Sequence, residues 1–94
     1  MKILAIEKEL SQNSSEYEPH LKAEARAVWS LQKSGIVREI YFTEETHEAV
    51  LILECESAAE AKDYLNRLPL VKNGLIRFDV SALKSYTGFE RLFS

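Results

Sequence analysis

Asn66-Arg67-Leu68-Pro69-Leu70-Val71, followed after a short connection by Ile76-Arg77-Phe78-Asp79-Val80-Ser81-Ala82-Leu83, is the stretch that decides the fold. Its first half is a helix end stopped at a proline, because the residue before proline is pushed out of the α region. The Leu-Pro-Leu exit then reads as a loop, and the second half reads as a long last strand from about 75 to 83. Working backward, Ser57-Ala58-Ala59-Glu60 has the spacing of a capping box, and Ala61, Tyr64, Leu65 and Leu68 form one apolar stripe behind it. This is the second of two helices.

Residues 36 to 43 and 48 to 55 are rich in β-branched and aromatic types, and they pair as a hairpin. The Glu44-Glu45-Thr46-His47 connection lacks an Asn-Gly turn signal, which predicts a four-residue loop. Further upstream, Tyr17, Leu21, Ala25, Val28 and Leu31 repeat at helical spacing, and Gly35 supplies a left-handed stop. Two starts for this helix are open: a capping box of Ser15 with Glu18, or Glu18 as cap with Pro19 in the first turn. Residues 2 to 9 complete the set as a first strand, joined to the helix by a polar segment, Ser11 to Ser15.

The order β-α-β-β-α-β predicts an α+β fold of ferredoxin-like type, a four-stranded antiparallel sheet with both helices on one face, over one domain spanning 1–94. The other face is then exposed. Ala49, Leu51 and Leu53 alternate with Val50 and Ile52, and strand two is expected to set Ile40 and Phe42 opposite Val37 and Tyr41, so both faces carry apolar side chains. Two helices cannot cover both, which predicts a homodimer through the open sheet face. Tyr86, Phe89, Leu92 and Phe93 in the tail, residues 85–94, suit either an arm reaching the partner or closure of their own domain's edge.

Composition bounds the partners. Apolar residues make up 46% and charged residues 29% of 94, as in folded rather than disordered chains. Twelve Lys and Arg oppose 15 Asp and Glu, giving a net charge of -3 with no basic block, so nucleic acid is excluded as an expected partner. The lone Cys55 permits no internal disulfide and makes a poor metal site, which fits a reducing cytoplasm. Glu7-Lys8-Glu9 cuts the initial apolar run below the roughly seven to fifteen residues of a signal peptide, and no segment is long enough to span a membrane. No Gly-rich phosphate loop, nucleophile elbow or paired-histidine motif is present.

Read together, Leu21-Lys22-Ala23, Leu31-Gln32-Lys33-Ser34-Gly35, the Leu68-Pro69-Leu70 exit and the last strand with Phe78-Asp79-Val80 resemble the muconolactone isomerase family. The resemblance implies a dimeric α+β barrel and a cofactor-free shift of a double bond within an unsaturated lactone acid. Lys22 matches a family lysine. The chain departs from the family pattern at Glu39, Phe42 and Thr46, where the family carries a histidine, an arginine and a glutamate.

Such a reaction needs a base beside the lactone carbonyl, an acid to return the proton, and a cation for the substrate carboxylate. Topology gathers His20, Lys22, His47, Glu48, Lys72 and Arg77 at one end of the domain. His20, Lys22, His47 and Glu48 are therefore the candidate catalytic residues, and Arg77 and Tyr41 the candidate substrate-binding residues, with a small-molecule ligand and no metal or cofactor. The expected function is proton transfer on a small carboxylated or lactone-like metabolite. A cofactor-independent oxygenase and a non-catalytic ligand-binding or assembly module are the alternatives.

Overall fold

Lys2–Glu9 forms β1, Val37–Phe42 β2, Ala49–Glu54 β3 and Ile76–Ala82 β4 in a computed structural model that describes residues 1–94. The helices are α1 at Ser14–Tyr17, α2 at Leu21–Lys33, α3 at Ala58–Asn66 and α4 at Pro69–Lys72, with 3-10 turns at Glu18–His20 and Gly88–Leu92. The strands make one antiparallel sheet in the order β2-β3-β1-β4, the ferredoxin-like arrangement predicted from the element order.

Local chemistry explains the boundaries. Ser57 caps α3, its hydroxyl accepting from the Glu60 N–H at 3.1 Å, and α2 is followed by Gly35 at φ +85°, where only glycine is unstrained. The first helix departs from both predicted starts. Asn13 is the cap, its side chain accepting from the Ser15 N–H at 3.1 Å, and Pro19 breaks the segment into α1, a 3-10 turn and α2. The Leu-Pro-Leu exit is likewise a helical turn rather than a loop: Leu68 is extended and Pro69 opens α4, a first position where its missing N–H costs nothing.

The sheet has two different faces. Register sets Ile3, Ala5 and Glu7 of β1 beside Ala49, Leu51 and Leu53 of β3 and Phe78 and Val80 of β4 on the face that meets the helices. An irregularity between Val37 and Glu39 corrects the expected alternation of β2. Val37 pairs with Leu53, Ile40 with Leu51 and Phe42 with Ala49, so all three share the helix face. Ile3, Val37, Leu51, Leu53, Leu65 and Leu68 are buried to within 1% of complete, each stabilising the fold by about 1.5–3 kcal/mol. This core lies under α3. By contrast α2 contributes no fully buried side chain; Ala27, Val28 and Leu31 only half-cover the sheet.

On the other face Leu4, Ile6, Val50 and Ile52 are half-buried and Tyr41 is exposed, with no second layer from the same chain. The tail does not close this gap. Tyr86, Phe89, Leu92 and Phe93 remain 67–87% exposed, and the chain extends 56 Å along its longest axis. Its radius of gyration is 15.3 Å, against about 12 Å for a compact chain of this length.

Candidate active site

Because α2 stands off the sheet, a cleft of about 460 Å³ opens between it, the start of β4 and the ends of β2 and β3. That size suits a single small ring with substituents. Most of its lining is apolar, including Leu21, Val28, Ile40, Leu51 and Phe78, and Trp29 and Phe42 stand at the mouth 60% and 61% exposed. Four polar side chains enter this apolar setting: Glu7, Glu24, Gln32 and His47.

Each arrives by a local rule. Glu7 continues the inward register of Ile3 and Ala5, and one of its oxygens accepts from the Ala49 N–H at 2.8 Å. Glu24 sits one turn after Leu21 on the sheet-facing stripe of α2, and its Oε1 accepts from the Leu70 N–H at 3.0 Å at the start of α4. Burial pushes the Glu24 carboxyl above its ordinary range, and the nearby Glu7 charge pushes the same way while the Leu70 N–H opposes both. His47 comes from the hairpin. It holds the left-handed conformation, φ 55°, inside a loop closed by bonds from the His47 N–H to the Thr43 carbonyl and from the Thr43 N–H to the Glu48 carbonyl. Its ring stacks on Phe42 with centroids 4.0 Å apart and planes 13° from parallel.

The sequence-predicted site residues divide. Of the six, His47 alone lines the cleft. Glu48 turns to the opposite side, where it accepts from the Thr46 hydroxyl at 2.9 Å and pairs with Lys8 at 3.7 Å. Arg77 is across from Lys8 on the open sheet face and reaches Asp79 at 3.3 Å. Tyr41 is on that face too, donating to Glu39 at 2.8 Å. Lys22 is exposed in the first turn of α2, and His20 is half-buried in the preceding 3-10 turn; neither lines the cleft. The single gathering expected at one end of the domain is thus split by the sheet, since neighbouring strand positions point to opposite faces.

Glu7 and Glu24 are the residues that sequence reading passed over, though both were legible as charges at inward positions of an apolar stripe. No Lys or Arg lines the cleft. No group of three His, Cys, Asp or Glu side chains is arranged to hold a metal ion. Cys55 is buried and its thiol is pushed up by that burial, as for a cysteine that packs in a core.

A four-stranded antiparallel sheet with a half-covered cleft on its helix face and an open apolar reverse face defines an α+β chain of ferredoxin-like fold. Its fold is that of muconolactone isomerase, as the resemblance implied: a solved structure of that enzyme matches with TM-score 0.73 at 16% identity, covering 93% of this chain and 92% of the other. The 5-chloro-2-hydroxyhydroquinone dehydrochlorinase of Burkholderia phenoliruptrix AC1100, solved in complex with 2,5-dihydroxybenzoquinone, matches with TM-score 0.73 at 18% identity, covering 94% and 98%. No protein-family model matches the chain, and no curated protein matches it by sequence. No helix is long and apolar enough to cross a membrane.

Proposed function

We propose that this chain is a cofactor-free enzyme that moves a proton within a small enolisable ring, a lactone or a cyclic ketone, bound in the cleft between α2 and the sheet. The observation that carries the reading is Glu24, a carboxyl raised by burial among apolar side chains, with Glu7 and His47 lining the same cleft. A base of raised pKa takes a carbon-bound proton more readily than an ordinary carboxylate. In the proposed step Glu24 removes the proton beside a ring carbonyl and the C–H electron pair moves into the carbon–carbon bond of an enolate. Glu24 or His47 then returns a proton at another carbon, so the net change is isomerisation. Of the groups expected from sequence, the proposal keeps His47 in the chemistry. Two enzymes on this fold act on small rings according to their names, an isomerase of muconolactone and a dehydrochlorinase of a hydroxyhydroquinone, which supports the reading.

The acting species in this proposal is a homodimer joined through the open face of Leu4, Ile6, Tyr41, Val50 and Ile52, with residues 85–94 extending toward the partner. An apolar sheet face with charges at its margins is the usual form of such an interface.

The test is proton exchange. Incubated in deuterium oxide with a panel of lactones and cyclic ketones, muconolactone among them, the protein should incorporate deuterium beside the carbonyl, and muconolactone should in addition change its ultraviolet absorbance. Replacement Glu24→Gln should lower the exchange rate by about 10²-fold or more. Exchange no faster than in protein-free solution across the panel would remove the enzymatic reading and leave a binding module.

A further inference from the structure

Resting on the reading that Glu24 carries the proton, we infer that Glu7 is a positioning residue for that transfer, a fixed negative charge on the cleft floor set against ionised Glu24. The two carboxyls enter one cleft from different layers. Glu7 comes from the floor, on β1 and paired across to Phe78 of β4, and Glu24 comes from α2 above it. Each spends one oxygen on a backbone N–H of the surrounding wall, Ala49 at 2.8 Å and Leu70 at 3.0 Å, and neither has an ion-pair partner. No Lys or Arg lines the cleft to neutralise either one. His47 is the other titratable group of the lining; β2, β3, β4 and α4 add none.

The fold asks less of Glu7 than a charge. The β1–β3 pairing ends at Ile6 and Val50, and the Ala49 N–H beyond it needs only an acceptor, which a glutamine oxygen supplies as well. The charge itself is costly at an inward position, and what it does there is electrostatic. When Glu24 takes a proton from the ring, the C–H pair passes into the enolate and the negative charge leaves Glu24 for the ring oxygen. The net charge of the cleft is unchanged, but it has moved. With that oxygen directed along α2 toward the Gln32 amide and the Trp29 indole N–H, uncharged donors of the lining, repulsion from Glu7 falls on the way to the transition state. The same repulsion leaves a substrate carboxylate, where there is one, at the open mouth in water. Burial is the main cause that raises the Glu24 carboxyl, and the Glu7 charge adds to it.

The Leu70 amide resonance reports the ionisation of Glu24 directly, because its N–H bonds that carboxylate. In Glu7→Gln the pH midpoint of this resonance should fall toward the ordinary carboxyl range, while the melting temperature at pH 7 stays at or above the wild-type value. Deuterium exchange on the best lactone or ketone of the panel should slow by about threefold or more on its pH plateau, because a weaker base removes the proton more slowly. Its rise with pH should begin at lower pH. Glu7→Met removes charge and acceptor together, and it should lower the Leu70 midpoint as much as Glu7→Gln does. A midpoint unmoved in Glu7→Gln overturns the assignment and leaves Glu7 an acceptor for Ala49, as does an exchange profile identical to wild type. Should Glu7→Gln fail to fold, the midpoint in Glu7→Met decides; failure of both to fold means that the charge serves the fold, which overturns the assignment too. Failure here separates from failure of the proton-transfer reading. A lowered midpoint in a protein that exchanges no deuterium sinks the enzyme and leaves the charge effect standing, whereas exchange with an unmoved midpoint sinks only the role of Glu7.

Discussion

Ile52→Lys separates a dimer from a monomer because the same substitution has opposite consequences in the two. Ile52 is half-buried on the open sheet face, paired across to Leu4 on one side and Glu39 on the other. In a monomer the new ammonium would stand in solvent with Glu39 and Glu54 on the same face, and such exposed pairs contribute only about 0–1 kcal/mol, so thermal stability would barely move. In a sheet-to-sheet dimer the ammonium is removed from water. Taking about 3 kcal/mol for each imperfectly paired buried ion and two copies per two-fold interface gives about 6 kcal/mol against association. At 1.4 kcal/mol per tenfold, the dissociation constant rises by about four orders of magnitude. Sedimentation equilibrium at micromolar concentration should therefore give about twice the 10.8 kDa chain mass for wild type and the single-chain mass, or unfolded material, for the variant. Ala59→Lys, at an exposed position in the first turn of α3, should leave the dimer intact. A folded wild-type monomer, or an Ile52→Lys protein that sediments like wild type, refutes the reasoning.

Glu24→Gln should be more heat-stable than wild type at pH 7 while losing proton transfer. The folded-state pKa is raised, so the stability held by the protonated carboxyl is fully present below its ordinary value of 4.5 and is lost as pH rises through the raised value; melting curves of the two proteins should converge in acid and separate above that range. Ser57→Ala removes the α3 cap and should cost about 1 kcal/mol, read as a fall of about 4–8 °C in Tm. Gly35→Ala, at φ +85°, should cost about 1–2 kcal/mol by the same measurement although the site has room for a methyl group; an unchanged Tm would contradict the left-handed stop.

Periodicity carried most of the fold because it reports which face of an element is wetted. The α3 stripe of Ala61 and Leu65, the Ser57 cap and the β1 and β4 spans are readable for that reason. What was not readable is local and geometric. The irregularity near Arg38 reverses the face of Val37 relative to Ile40 and Phe42, and no residue type announces a bulge. The helix start moved because Asn13, Ser15 and Glu18 are all competent caps, and the choice among them depends on where the chain leaves β1.

The expected gathering of charged groups at one end of the domain is divided for a related reason. Collecting charges by their height along the strands brings His47, Glu48 and Arg77 to one end, but height does not say on which side of the sheet a side chain emerges. Parity does. Glu7 is two residues beyond Ala5 and four beyond Ile3, so it shares their inward face, whereas Lys8 and its partners Glu48 and Arg77 take the other. The charge that interrupts an apolar stripe is then more informative than the charge at its end. A carboxylate kept at an inward position costs stability there, and at Glu24 that cost is visible as a raised pKa. A residue that the fold alone would replace with glutamine or an aliphatic side chain is the one the proposed proton transfer would use, and Glu24 meets that condition where Glu48, half-buried and paired with Lys8, does not.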